Sequence, residues 1–220
     1  MKSTLIAALL AALPMAAAAQ DPVKVDGKHY KLVLENAAVR VLKISYGVGE
    51  KSPMHAHPDA ILVPLANSKA SFTMADGKVQ AMDVVSEVAN YTAAMTHAPA
   101  NVGTGVIDAL LVEIKAKTGA TATMPGARPG MALKPLADGP GGVAYRSTLA
   151  ADFHEAAGST HEFDQVVVSL GPADMMLAVE GRPTVNKWQR GDVQFIGRGV
   201  KHESKNNSGK PVDVVIVALK

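Results

Sequence analysis

Asp108-Ala109-Leu110-Leu111-Val112-Glu113-Ile114-Lys115 is written a second time as Asp213-Val214-Val215-Ile216-Val217-Ala218-Leu219-Lys220, 105 residues further on. The same offset relates Asp59-Ala60-Ile61-Leu62-Val63-Pro64-Leu65 to Asp164-Gln165-Val166-Val167-Val168-Ser169-Leu170. It also relates His97-(x3)-Asn101 to His202-(x3)-Asn206. Strand-rich composition alone would scatter such matches over many offsets, so three blocks at one offset mark an internal duplication. The two units are residues 38–116 and 143–220.

Each unit reads as short β-rich runs cut by turns. Val39–Tyr46 stops at Gly47, and Ala70–Met74 stops at the hairpin signal Asp76-Gly77. In the second unit Met175–Val179 stops at Glu180-Gly181, and Trp188 precedes Gly191-Asp192-Val193-Gln194-Phe195-Ile196-Gly197. No long helical period occurs after residue 19, so each unit is expected to be an all-β barrel or sandwich. Around them, residues 20–37 form an N-terminal arm whose Tyr30–Leu34 can pair as a strand. Residues 117–142, rich in Gly, Pro, Ala and Met, read as a linker or covering segment.

Residues 1–19 have the form of a secretory signal peptide. Lys2 is followed by an apolar stretch from Leu5 to Ala19, with Ala17 and Ala19 as the small pair before a cut near Gln20. The stretch is short for a retained anchor and contains Pro14. A periplasmic or secreted protein is therefore expected, with no membrane contact once the leader is gone. The chain has no cysteine, which excludes disulfides, thiolate ligands and thiol nucleophiles. Its formal charge of +2 comes from scattered residues, and aromatics make up 4%. That is not the basic, ring-bearing surface a nucleic acid needs. Walker, nucleophile-elbow and Rossmann signatures are absent.

The chemistry-bearing residues are histidines. His55 and His57 lie in Gly49-Glu50-Lys51-Ser52-Pro53-Met54-His55-Ala56-His57, and His97 lies in Thr96-His97-Ala98-Pro99-Ala100-Asn101. Residues i and i+2 of a strand share a face, so His55 and His57 can converge, and His97 from a neighbouring strand would complete a metal-binding face.

These motifs resemble the cupin superfamily. Its first motif is Gly-(x5)-His-x-His-(x3–4)-Glu-(x6)-Gly, and its second is Gly-(x5)-Pro-x-Gly-(x2)-His-(x3)-Asn. The chain has Gly49-(x5)-His55-x-His57 in the first unit and Gly191-(x5)-Gly197-x-Gly199-(x2)-His202-(x3)-Asn206 in the second. The first unit's second motif survives as Ser86-(x5)-Thr92-x-Ala94-(x2)-His97-(x3)-Asn101. With the duplication, the chain is similar to a bicupin, which implies two tandem jelly-roll (double-stranded β-helix) barrels. The run Glu-Lys-Ser-Pro-Met-His-x-His-Pro-Asp is also similar to small exported bacterial cupin proteins of undefined activity.

The family often holds a divalent metal through the two first-motif histidines, the glutamate and the second-motif histidine. Here the glutamate slot falls on Ile61 or Leu62, and Asp59 comes too early. The resemblance then implies a three-imidazole set of His55, His57 and His97. Such a set leaves a 2+ charge uncompensated and should favour anionic ligands. It suits Fe, Mn, Zn or Ni, and on zinc can lower bound-water pKa to about 7.

The second unit has two registers. The strict offset places Thr160 and Glu162 opposite His55 and His57, leaving Glu162 and His202 as donors. Family spacing gives Ser159-x-His161-(x3)-Gln165, with His161, Gln165 and His202 as a weaker set. A one-residue slip turns side chains to the other face, so the two exclude each other unless a bulge intervenes.

The expected function is metal binding in the first barrel with a dioxygenase-type reaction on a small anionic or oxygenated organic molecule. A zinc or manganese lyase, isomerase or hydrolase is a close competitor, and no side chain is named as general base. The alternative is a non-catalytic small-molecule or metal-binding module. A third reading is a homodimer formed through open barrel edges.

Overall fold

The structure, a computed structural model, describes residues 20–116 and 128–220. The expected signal peptide and the first part of the expected linker lie outside these residues. The first half begins with a short helix, α1 (Pro22–Val25), and continues with β1 (Tyr30–Glu35), β2 (Val39–Tyr46), β3 (His55–His57), β4 (Ala60–Pro64), β5 (Ser68–Met74), β6 (Val79–Val84), β7 (Asn90–Thr92), β8 (Met95–Asn101) and β9 (Ile107–Ile114). The second half runs β10 (Met131–Gly139), β11 (Gly142–Leu149), β12 (His154–Ser159), β13 (Gln165–Ser169), β14 (Ala173–Val179), β15 (Arg182–Trp188), β16 (Val193–Ile196), β17 (His202–Asn206) and β18 (Val212–Leu219).

The duplication is reproduced strand for strand. A five-stranded antiparallel sheet β1-β2-β9-β4-β7 and a four-stranded sheet β3-β8-β5-β6 form the first barrel. The second barrel has β10-β11-β18-β13-β16 and β12-β17-β14-β15 in the same order. Asn101 and Asn206 also match: each amide donates to three carbonyls of neighbouring turns, Tyr46, Gly47 and Gly105 in one case and Leu149, Ala150 and Lys210 in the other.

The five-stranded sheets explain why β9 and β18 read as unbroken apolar runs. In β9, Ile107, Ala109 and Leu111 face the barrel interior. Leu110, Val112 and Ile114 face the other way, into a core shared with Val166, Val215 and Val217 of the second barrel. A strand covered on both faces has no polar side to display, so it loses the usual alternation of a half-exposed strand. The shared apolar core joins the barrels back to back. Arg190 seals its rim by donating to the Leu65 carbonyl (2.8 Å) and pairing with Glu87 (2.9 Å).

The described part of the expected linker carries a strand instead. β10 pairs with β11 as β1 pairs with β2. Pro135 at a register shift and the half-exposed pattern of an edge strand hid it from a reading based on alternation. The glycines that follow serve close packing between the barrels. A Cβ on Gly139 would lie 2.1 Å from the Tyr91 ring, and one on Gly141 2.8 Å from Ile114. Gly139→Ala is therefore expected to cost about 1–3 kcal/mol by overpacking. Urea unfolding measures this, and adding Tyr91→Ala should recover part of the loss; additive losses would refute the contact.

Candidate metal centre

β3 is only three residues long, and its sequence His55-Ala56-His57 places both rings on one face. Antiparallel pairing with β8 sets His55 directly opposite His97. The three ring centroids lie 4.9, 5.1 and 5.4 Å apart, and the three candidate ligand nitrogens all lie within 4.8 Å of one another. All three histidines are buried.

In each ring Nδ1 already has a partner. His55 Nδ1 faces the Pro53 carbonyl at 2.8 Å, His57 Nδ1 faces Glu113 Oε1 at 2.7 Å, and His97 Nδ1 faces Met95 Sδ at 3.1 Å. All three partners are acceptors, which assigns the ring proton to Nδ1 and turns the Nε2 lone pairs toward the shared space, where that of His55 meets the Tyr30 hydroxyl at 3.0 Å. Orientation of imidazoles through their second nitrogen is the usual support for a metal ligand set. The donor set therefore fits a divalent ion, which Nε2 of His55, His57 and His97 would hold.

The expected uncompensated charge is corrected by Glu113. This carboxylate is 1% exposed and lies on β9 opposite Ala60 of β4. The matching pair in the second barrel is Ala218 opposite Gln165. One barrel thus puts its large polar side chain on one strand, and the other barrel puts it on the neighbouring strand. Arg40 holds Glu113 from behind, Nε to Oε2 at 2.6 Å, and pairs with Asp21 at 2.6 Å. Burial alone would raise the Glu113 pKa, but hydrogen bonds from His57 and Arg40 outweigh it and keep the carboxyl below its ordinary value. The sequence did carry a signal: Glu113 is a lone acid in a buried apolar run whose copy has alanine.

The N-terminal arm completes the centre, which the sequence did not indicate. Tyr30 on β1 donates its hydroxyl to His55 Nε2 at 3.0 Å and accepts from Tyr46 at 3.0 Å. Ser52 lies 2.5 Å from the Tyr46 hydroxyl and donates to Asp26. His29, which matched nothing in the sequence, is buried, stacks on Tyr46 at 4.2 Å and bridges Asp26 to Glu50. Tyr30, Phe72 and Met95, which touch the histidines, also line a cavity of about 110 Å³ together with Leu62, Met82 and Leu111 among others and no charged side chain. Phe72 also stacks on His97 at 4.9 Å.

In the second barrel Ser159 pairs with His202 as His55 pairs with His97, which selects the family spacing over the strict offset. His161 therefore corresponds to His57, and Glu162 is exposed. The slip is absorbed by a register shift between Glu155 and Ser159. His161 and His202 do come together, but the third member of their cluster is Glu155, with ligand atoms within 4.8 Å of one another. Gln165 is buried and lines the adjoining cavity. His154 is exposed and bonds Glu203 at 2.8 Å.

Two histidines, His97 buried and His161 half-buried, give the metal-free protein a definite pH response. Burial, reinforced by the neighbouring His57 and His55, pushes the His97 pKa down to about 3. Burial, followed by the charge of Arg128 and by His202, also pushes His161 to about 3. Below the ordinary histidine value near 6.5 the unfolded chain takes up these protons and the folded chain does not. Stability is thus fully present above that value and falls as pH drops, by about 1.4 kcal/mol per unit for each group. Urea midpoints of chelator-treated protein should be level above pH 7 and decline from pH 6.5 to 5; a level profile throughout would contradict the assignment.

Solved structures resemble the whole two-barrel arrangement. The chain is similar to a cupin 2 conserved barrel domain protein from Leptotrichia buccalis, with TM-score 0.53, 11% identity, and 87% and 88% of the two chains covered. It is similar to AerE from Microcystis aeruginosa, with TM-score 0.63, 11% identity, and 87% and 97% covered. It is also similar to salicylate 1,2-dioxygenase from Pseudaminobacter salicylatoxidans, with TM-score 0.60, 10% identity, and 83% and 71% covered. A further structure of that dioxygenase is an adduct with gentisate. No protein-family model and no curated protein matches the chain. At these identities the likeness establishes the fold.

Proposed function

On a tandem cupin fold with one buried three-histidine cradle, we propose that the first barrel holds a single divalent metal ion and acts there on a small oxygen-bearing organic molecule in a dioxygenase-type reaction. The convergence of three Nε2 lone pairs, each imidazole fixed through Nδ1, carries this reading. Export through residues 1–19 belongs to the same proposal.

A divalent ion held there would supply Lewis acidity and open positions for an oxygen donor of the substrate. The chain's own residues set the rest. Tyr30 presents a hydroxyl beside His55, within reach of an oxygen brought to the cradle. Leu62, Phe72 and Leu111 line an apolar cavity that excludes water and suits a hydrocarbon or aromatic body. No cationic side chain lines that cavity to select a carboxylate, so the substrate's oxygen group must be recognised at the cradle itself. The similarity to a salicylate dioxygenase, crystallised with gentisate, supports testing phenolic acids first.

Untagged protein loaded anaerobically with Fe(II) should consume oxygen with one member of a panel including gentisate, salicylate and catechol. Retained metal with no oxygen uptake on any of them would leave the non-catalytic binding module, which the apolar cavity also accommodates.

A further inference from the structure

The second barrel encloses a cavity of about 60 Å³ whose wall is mostly apolar, with Tyr145, Phe153, Met175, Leu177, Trp188 and Ile216 in its lining. Its polar end includes Arg128, Glu155 and His161, and Glu155 and His161 cluster with His202 behind the wall. In the first barrel the corresponding donors are three histidine nitrogens. In the second, the Arg128 guanidinium lies among them. Its Nη1 pairs with Glu155 Oε1, and its Nη2 lies 3.1 Å from His161 Nδ1 and 3.3 Å from the Thr160 carbonyl. The other Glu155 oxygen meets His202 Nε2 at 3.0 Å and accepts from Ser204 at 2.9 Å. The cluster's donor atoms are therefore largely occupied by protein partners.

We infer that the second barrel is a metal-independent binding site for a small uncharged alcohol or phenol, its polar end closed by the Arg128 guanidinium where the first barrel would hold a metal. Arg128 and Glu155 already balance each other. A carboxylate entering this space would be a buried charge with no free counter-charge, which is costly. A hydroxyl meets both donors and acceptors among Ser204, Gln165, Gln194 and the His161 ring, and its hydrocarbon part meets the apolar wall. At ~10–15 Å³ for each water-sized group, the cavity takes roughly four to six heavy atoms. Met131, Met175 and Met176 line it, and flexible methionines can yield to a slightly larger body. The site does not depend on the chemistry proposed for the first barrel.

Trp188 is the chain's single tryptophan, so its emission reports this cavity alone. Cyclopentanol titrated into the chelator-treated full chain should change that emission saturably and shift the methyl resonances of Met175 and Met176. Cyclopropanecarboxylate, with the same number of heavy atoms, should bind at least ~10-fold more weakly. Added Zn(II) should leave the cyclopentanol titration unchanged. Val214→Phe, which fills the cavity, should remove the response; if that variant fails to fold, the methionine shifts in the unsubstituted chain decide. Absence of a saturable change, a response that requires Zn(II), or tighter binding of the carboxylate would each overturn the inference.

Discussion

Glu113→Ala is expected to destabilise the metal-free protein by about 3–5 kcal/mol, the usual cost of removing one partner from a buried ion pair. Two partners are stranded. Arg40, 18% exposed, loses its Nε acceptor, and His57 loses the acceptor of its Nδ1 proton. Asp21 still reaches Arg40 from the solvent side, which keeps the loss within that range. Equilibrium urea unfolding is the measurement, and a loss under about 1 kcal/mol, the level of an exposed pair, would contradict the buried role. Glu113→Gln separates stability from charge. It keeps the shape and an acceptor oxygen for His57 but removes the anion, and should weaken metal binding by about 10–100-fold, as loss of a ligand's outer partner does. The second barrel suggests a compensated variant. Arg40→Val, Ala60→Gln and Glu113→Ala together copy the side chains Val143, Gln165 and Ala218, and should recover part of the stability without restoring affinity.

The second large effect is stabilisation by metal. A ligand that binds only the folded chain adds about 2.7 kcal/mol at a hundred times its dissociation constant. Titrating Zn(II) or Fe(II) into apoprotein should therefore raise the melting temperature progressively, and His57→Ala should abolish the rise. His57 is the most informative position because its ring links the cradle to Glu113, and through Glu113 to Arg40. His202→Ala should leave the rise intact, since the Arg128 guanidinium already pairs with Glu155 and His161 in that cluster. A metal response lost in His202→Ala but kept in His57→Ala would reverse the assignment of the two barrels.

The architecture was legible because duplication is a long-range signal. Equal offsets at β4, β8 and β9 placed two copies of one topology without any pairing being known. His55, His57 and His97 were legible because period-2 spacing and cross-strand pairing bring i and i+2 residues and their opposite neighbour together. Glu113 was harder. It acts from β9, in the sheet facing the one that carries His57 and 56 residues away in sequence, and no local pattern links the two. Tyr30 left no signal, because the arm has no copy in the other unit bearing the same ring. β10 was missed because an edge strand with a proline at its register shift resembles a linker. The second barrel's register was ambiguous since one bulge shifts His161 relative to the constant offset, and only the Ser159–His202 pairing resolves it.

The most direct test of one metal site in one barrel is a metal count by atomic emission on untagged protein, loaded to saturation and desalted, for the unsubstituted chain, His97→Ala and His202→Ala. The expected result is one equivalent in the unsubstituted chain, none in His97→Ala and one in His202→Ala. No metal in the unsubstituted chain, or metal retained by His97→Ala and lost from His202→Ala, would contradict the account.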